Sequence, residues 1–166
     1  MPSTGSTSRA WPLLGRLFPA QADNRFHGHR AAPWLLGLYV ALKLVMSTNS
    51  IFNTTSVAVG GDGIPLDTFG PAAARTALML FALVSLGQLA LALGAVATLV
   101  RWRALVPFAY LMLSGEHIAR RVIIQSYAVA RTEGTPPGAY VNYALLTLLG
   151  VGLLLSLLNT NPRERS

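Results

Sequence analysis

Lys43, the single lysine of the chain, stands in the middle of the apolar run Trp34-Leu-Leu-Gly-Leu-Tyr-Val-Ala-Leu-Lys-Leu-Val-Met, and a later apolar run carries Glu116, His117, Arg120 and Arg121. An ammonium and two guanidinium groups can hold a carboxylate or phosphate, while a carboxylate beside an imidazole can take up and release protons. A charged side chain at the centre of a membrane helix costs at least about 2.5–3.5 kcal/mol, so these residues are expected to face protein or water and to find partners. They are the strongest pointers to function in the chain.

Most specific chemistry is excluded by what surrounds them. The chain has no cysteine, which removes disulfides, thiolate catalysis, iron–sulfur clusters and cysteine zinc sites. Haem held between helices needs two axial ligands and the apolar runs contain only His117. His27 and His29 form an H-x-H pair in a polar stretch without a neighbouring carboxylate or thiolate, so it reads as solvated rather than as a metal site. There is no nucleophile elbow, no phosphate-binding glycine loop and no dinucleotide fingerprint. Gly60-Gly61-Asp62-Gly63 lacks the further oxygen ligands of a calcium loop and reads as a tight turn. No catalytic residue, metal or cofactor is assigned.

The elements that must position the charged residues follow from composition. With 52% hydrophobic and 11% charged residues in 166 positions and a mean hydropathy of +0.48, the chain is too apolar for an ordinary soluble domain. Four runs, roughly 33–53, 72–100, 104–128 and 139–158, reach the approximately 20 residues that a bilayer-spanning helix needs. The expected fold is an all-α integral membrane protein, an antiparallel bundle of four transmembrane helices. Residues 1–32 form a polar, basic lead, residues 54–71 a glycine- and proline-rich outer loop with Asp62 and Asp67, and residues 159–166 a tail. In the lead, Trp11, Leu13, Leu14, Leu17 and Phe18 interleave with Arg9 and Arg16 between Pro12 and Pro19, the pattern of a short interfacial helix. Arg9, Arg16, Arg25 and Arg30 precede the first span, Arg101 and Arg103 lie between the second and third, and Arg163 and Arg165 follow the fourth, whereas the opposite side holds Arg75 and Arg131. The positive-inside rule then puts both termini in the cytoplasm. The formal charge of +7 is accounted for by these loops, and no basic cluster with stacking aromatics suggests nucleic acid. Arginine in place of lysine, with abundant Ala, Leu and Gly, points to a bacterial inner membrane.

A rise of about 1.5 Å per residue places Lys43 about 14 Å into the first span, and Gln88, Glu116 and Thr147 about 16–18 Å into the others. All four spans are thus expected to offer a polar group near mid-membrane, with Ser47, Asn49, Ser85, Arg120, Arg121 and Asn142 forming a tier nearer the outside. Tyr39, Lys43 and Ser47 share one helical face, Phe81, Ser85 and Gln88 another, and Glu116 with Arg120, like His117 with Arg121, are i, i+4 neighbours. Matching depths suggest a Lys43–Glu116 pair between the first and third spans. Gly87, Ala90, Gly94 and Ala97 make a small-residue stripe suited to close helix approach. The candidate site is Lys43, Ser47, Gln88, Glu116, His117, Arg120 and Arg121, either as a structural network or as a ligand site. The expected function is a non-catalytic inner-membrane protein: an accessory or scaffold subunit, or a binder of a small anionic or lipidic ligand. The alternative is a small proton-coupled transporter or quinone-linked redox enzyme. The expected partners are the lipid bilayer and either a membrane-protein partner or further copies of the chain.

Overall fold

The computed structural model describes residues 12–19, 21–127 and 134–158, and among these there is no strand. The helices are α1 (Pro12–Leu17), α2 (Ala31–Phe52), the three-residue α3 (Thr54–Ser56), α4 (Pro71–Arg101), α5 (Val106–Ser126) and α6 (Pro137–Leu157). Each long helix has a proline in its first turn, Pro33, Pro71, Pro107 and Pro137, where a fixed φ helps and no amide hydrogen is missed. The four expected spans coincide with these helices to within two residues at each end, and of them α2, α4 and α6 are long and apolar enough to cross a membrane. This marks a membrane-embedded protein. Helix α5 has the length of α6, 21 residues, but Glu116, His117, Arg120 and Arg121 make it far less apolar.

Contacts between the ends of the helices show that the chain runs up and down. The backbone N–H of His29, just before α2, donates to the Leu155 carbonyl near the end of α6 at 3.0 Å. The Tyr110 hydroxyl, near the start of α5, donates to the Ala32 carbonyl at the start of α2 at 2.8 Å. At Gly152 of α6 a Cβ would lie 2.3 Å from the Tyr110 ring. These contacts make α2 and α5 parallel and α6 antiparallel to both. Helix α4 packs along α2 and α5 along α6.

The apolar core lies at the end where α2 and α5 begin and α4 and α6 finish, here the tail end. It consists of Ala32, Leu36, Tyr39, Val40, Ala92, Ala95, Val106, Ala109, Tyr110, Leu113, Leu145 and Leu149. The segment before α2 closes over this end: Arg16 Nη1 donates to the Leu157 carbonyl at 2.5 Å, the Phe18 and Phe108 rings meet at 5.5 Å, and the Ala104 amide donates to the Asp23 carbonyl at 3.2 Å. A free carbonyl at the end of α6 is thereby paired. The short helix expected between Pro12 and Pro19 is α1. Arg9, Trp11, Arg131, Arg163, Arg165, the tail and the side chains of Leu13 and Leu14 lie outside the described residues.

The expected loop at 54–71 is largely helical. After a bend at Asn53 the chain continues through α3 into a wide turn over Val57–Gly61, with Val57 N–H bonded to Asn53 O, Asp62 N–H to Val57 O and Ile64 N–H to Ala58 O. Near a membrane each unpaired amide is costly, so this segment keeps its bonds internal in spite of its glycines. Gly63, at φ 68°, ends the turn in the left-handed region that glycine enters without steric cost. We call this the loop end.

Candidate functional site

Helical spacing puts Tyr39, Lys43 and Ser47 on successive turns of α2, and all three are buried. On α4 the buried polar residues nearest the same level are Ser85 and Gln88. On α5, His117 is buried, with Glu116 and Arg120 at its side. Gln88 Nε2 donates to Glu116 Oε1 at 2.5 Å, and Arg120 Nε donates to the same oxygen at 3.1 Å. This is the only ion pair among the described residues. His117 Nδ1 lies 3.4 Å from Arg120 Nη2.

Three groups of this cluster lack partners. Glu116 Oε2 and the Tyr39 hydroxyl are buried without a hydrogen bond. Lys43, only 6% exposed, makes no hydrogen bond or ion pair among the described residues. Lys43 lies in the fields of Arg120, Glu116 and Asp62, and Tyr39 in those of Glu116 and Arg120, so all belong to one electrostatic cluster. An unpaired buried polar group costs about 1–3 kcal/mol and an unpaired buried charge more. The set holds two donors, the ammonium and the phenol, opposite one acceptor, the free carboxylate oxygen. Ser114 Oγ is also buried and unpartnered, but it lies about 200° around α5 from Glu116, outside the cluster.

Six of the seven candidate residues, Lys43, Ser47, Gln88, Glu116, His117 and Arg120, come to this level of the bundle. Arg121 does not. Its Nη2 donates to the Tyr143 hydroxyl, and its guanidinium lies 4.0 Å from the centre of the Tyr143 ring on the α5–α6 side. Such cation–aromatic stacking gives an arginine near a membrane surface a partner without entry into the interior. The expected Lys43–Glu116 bond is absent: Arg120, one turn along the same helix, and Gln88 share Oε1 of Glu116, and Oε2 bonds neither Lys43 nor any other described group. Thr147 is exposed and bonds the Tyr143 carbonyl of its own helix, so three helices, α2, α4 and α5, supply side chains to the polar layer. Among the described residues the Gly87–Ala97 stripe seats no helix at its glycines, since nothing lies within 4 Å of a Cβ at Gly87 or Gly94. His29, half of the H-x-H pair, accepts the Ala31 amide on Nδ1 at 3.2 Å and so serves the start of α2.

Tyr39 and the Tyr143 partner of Arg121 were missing from the expected site. Tyr39 carried a signal, its position one turn below Lys43, whereas nothing in the sequence connects residue 121 to residue 143. The chain matches no protein-family model, no curated protein and no solved structure.

Proposed function

We propose that this chain is a small bacterial inner-membrane protein with four transmembrane helices, α5 being the fourth, and that it binds a small anionic or lipidic ligand in the polar cluster without transforming it. Assigning α5 as a span is supported by the pairing of its charges: Glu116 and Arg120 bond each other and Gln88, and Arg121 bonds Tyr143. None is left bare to lipid. Arg25, Arg30, Arg101 and Arg103 at the tail end, against Arg75 at the loop end, favour a cytoplasmic tail end and both termini inside.

The observation that carries the binding reading is the unpartnered trio of Lys43, the Tyr39 hydroxyl and Glu116 Oε2. A ligand carboxylate or phosphate would accept from Lys43 and Tyr39, and a ligand hydroxyl would donate to Glu116. Because Arg120 is neutralised by Glu116, Lys43 supplies the attraction for an anion. The test is thermal unfolding of the detergent-solubilised protein with octanoate or with native lipid extract. A ligand bound by the folded form alone stabilises it by about 2.7 kcal/mol at a hundredfold excess over Kd. The melting temperature of the parent should rise and that of Lys43→Gln should not respond; a parent indifferent to both additions refutes the reading.

A further inference from the structure

The bundle is sealed unevenly around the cluster. No residue of α4 before Ser85, of α5 after His117 or of α6 before Leu145 is buried. These are the parts of the three helices nearest the loop end, and α6 has the glycine turn of the connector pressed against it there. Of the side-by-side long-helix pairs α2–α4, α2–α6, α5–α6 and α4–α5, the last touches least, only the diagonal pairs touching less, and the Gln88–Glu116 hydrogen bond crosses between α4 and α5 at mid-height. Glu116 and Arg120 accordingly keep 24% of their side chains exposed at the depth where a sealed bundle would hide them. The other side is closed. Ala58 and Gly63 of the connector are buried, and Asp62 Oδ1 and the Gly61 carbonyl press so closely on α6 that a Cβ at Gly138 would meet them at 2.6 and 2.7 Å. A molecule approaching the cluster from the loop end therefore finds its opening between α4 and α5. Arg120 is the first charge on that path, one turn nearer the loop end than Glu116. Leu78 and Phe81 on α4 and Ile124 on α5 continue the same helical faces above it.

We propose that the ligand is a single-chain lipid carboxylate that enters sideways between α4 and α5 from the leaflet around the loop end. Its head passes Arg120 to reach Lys43 and the Tyr39 hydroxyl, and its chain remains in the hydrocarbon outside the crevice. This deepens the binding function proposed above and rests on it. Charge complementarity selects a carboxylate over a neutral lipid: the guanidinium of Arg120 is matched by Glu116 at 3.1 Å, whereas Lys43, although it lies in the field of Asp62, bonds no carboxylate among the described residues, so a negative head group can pair with its ammonium directly. A single chain fits because the head must descend between two helices that stay bridged by Gln88 and Glu116.

The test uses the full-length protein in phosphatidylcholine vesicles with palmitate carrying a photoreactive diazirine in mid-chain, followed by peptide mapping. Adducts are expected on residues 71–84 of α4 and 118–126 of α5. Excess palmitate should remove at least four-fifths of the label, hexadecanol at equal concentration should not, and Lys43→Gln should lose the label. Absent labelling, labelling spread over the exposed faces of all four long helices, or equal competition by the alcohol overturns the proposal. If octanoate still raises the melting temperature in a Lys43-dependent way while the label falls elsewhere, the lateral route fails and the binding site stands. If both experiments fail, the binding function falls with the route.

Discussion

Glu116 is the residue on which the cluster turns, because one of its oxygens serves Gln88 and Arg120 together. Replacing it by leucine leaves a guanidinium and an amide without their acceptor. A fully buried broken pair costs about 3–5 kcal/mol, and the partial exposure of both partners brings the expectation for Glu116→Leu to roughly 2 kcal/mol after allowance for screening. Glu116→Leu combined with Arg120→Leu should recover much of this loss in thermal unfolding, since no guanidinium is then left without its carboxylate. Lys43 predicts the opposite pattern. With no bonded partner to strand, Lys43→Met should be at least as stable as the parent while abolishing the response to octanoate; a loss exceeding about 1 kcal/mol would identify Lys43 as a strut. The identity and depth of these residues were legible in the sequence, because helical rise converts position into depth. Their pairing was not: at equal depth Glu116 could reach either Lys43 or Arg120, and only the rotations of α2 and α5 decide between them.

At the scale of elements, Gly152 and Tyr110 set how closely α5 and α6 approach at the tail end. The Tyr110 ring is tethered by its hydroxyl to the Ala32 carbonyl at 2.8 Å, so it cannot withdraw from a methyl group that would sit 2.3 Å away. Gly152→Ala should therefore cost about 1–3 kcal/mol, lowering the melting temperature, and Tyr110→Leu in the same chain should relieve the clash. Gly94→Ala is the control, with nothing within 4 Å of the new methyl and a small gain in helix propensity; it should be neutral or slightly stabilising. The spacing of Gly87, Ala90, Gly94 and Ala97 pointed to a packed face, yet the close approaches occur at Gly28, Gly138 and Gly152. In a helix apolar all round, spacing tells which residues share a face and leaves open which face turns inward.

At the scale of the whole molecule, the proposed orientation makes a direct prediction. The chain has no cysteine, so a single introduced thiol reports its own side of the membrane. Asp67→Cys, exposed at the loop end, should react with an impermeant maleimide in intact cells, and Ala22→Cys, exposed at the tail end, only after lysis. The reverse pattern would invert the bundle, and labelling of both in intact cells would mean that α2, the one long helix between the two positions, does not cross the membrane.

By itself the sequence determined the positions of the four long helices and the glycine turn near residues 60–63; it reads as four spans, of which α2, α4 and α6 are long and apolar enough to cross a membrane, and the connector that reads as a loop is largely helical. Of the polar side chains expected near mid-height on all four spans, those of α2, α4 and α5 gather there and Thr147 of α6 does not. The positions of helices, turn and polar residues along the chain are local properties, set by hydropathy, proline placement and helical rise within one segment. The tertiary structure alone decided that Gln88 joins Arg120 on one oxygen of Glu116, that Arg121 turns to Tyr143, that Thr147 faces outward, and that the apolar core lies toward the tail end, with no residue of α4 before Ser85 or of α5 after His117 buried. Those outcomes depend on the relative rotation and tilt of helices, and a run of leucines and alanines leaves both angles free until the partner helices are in place.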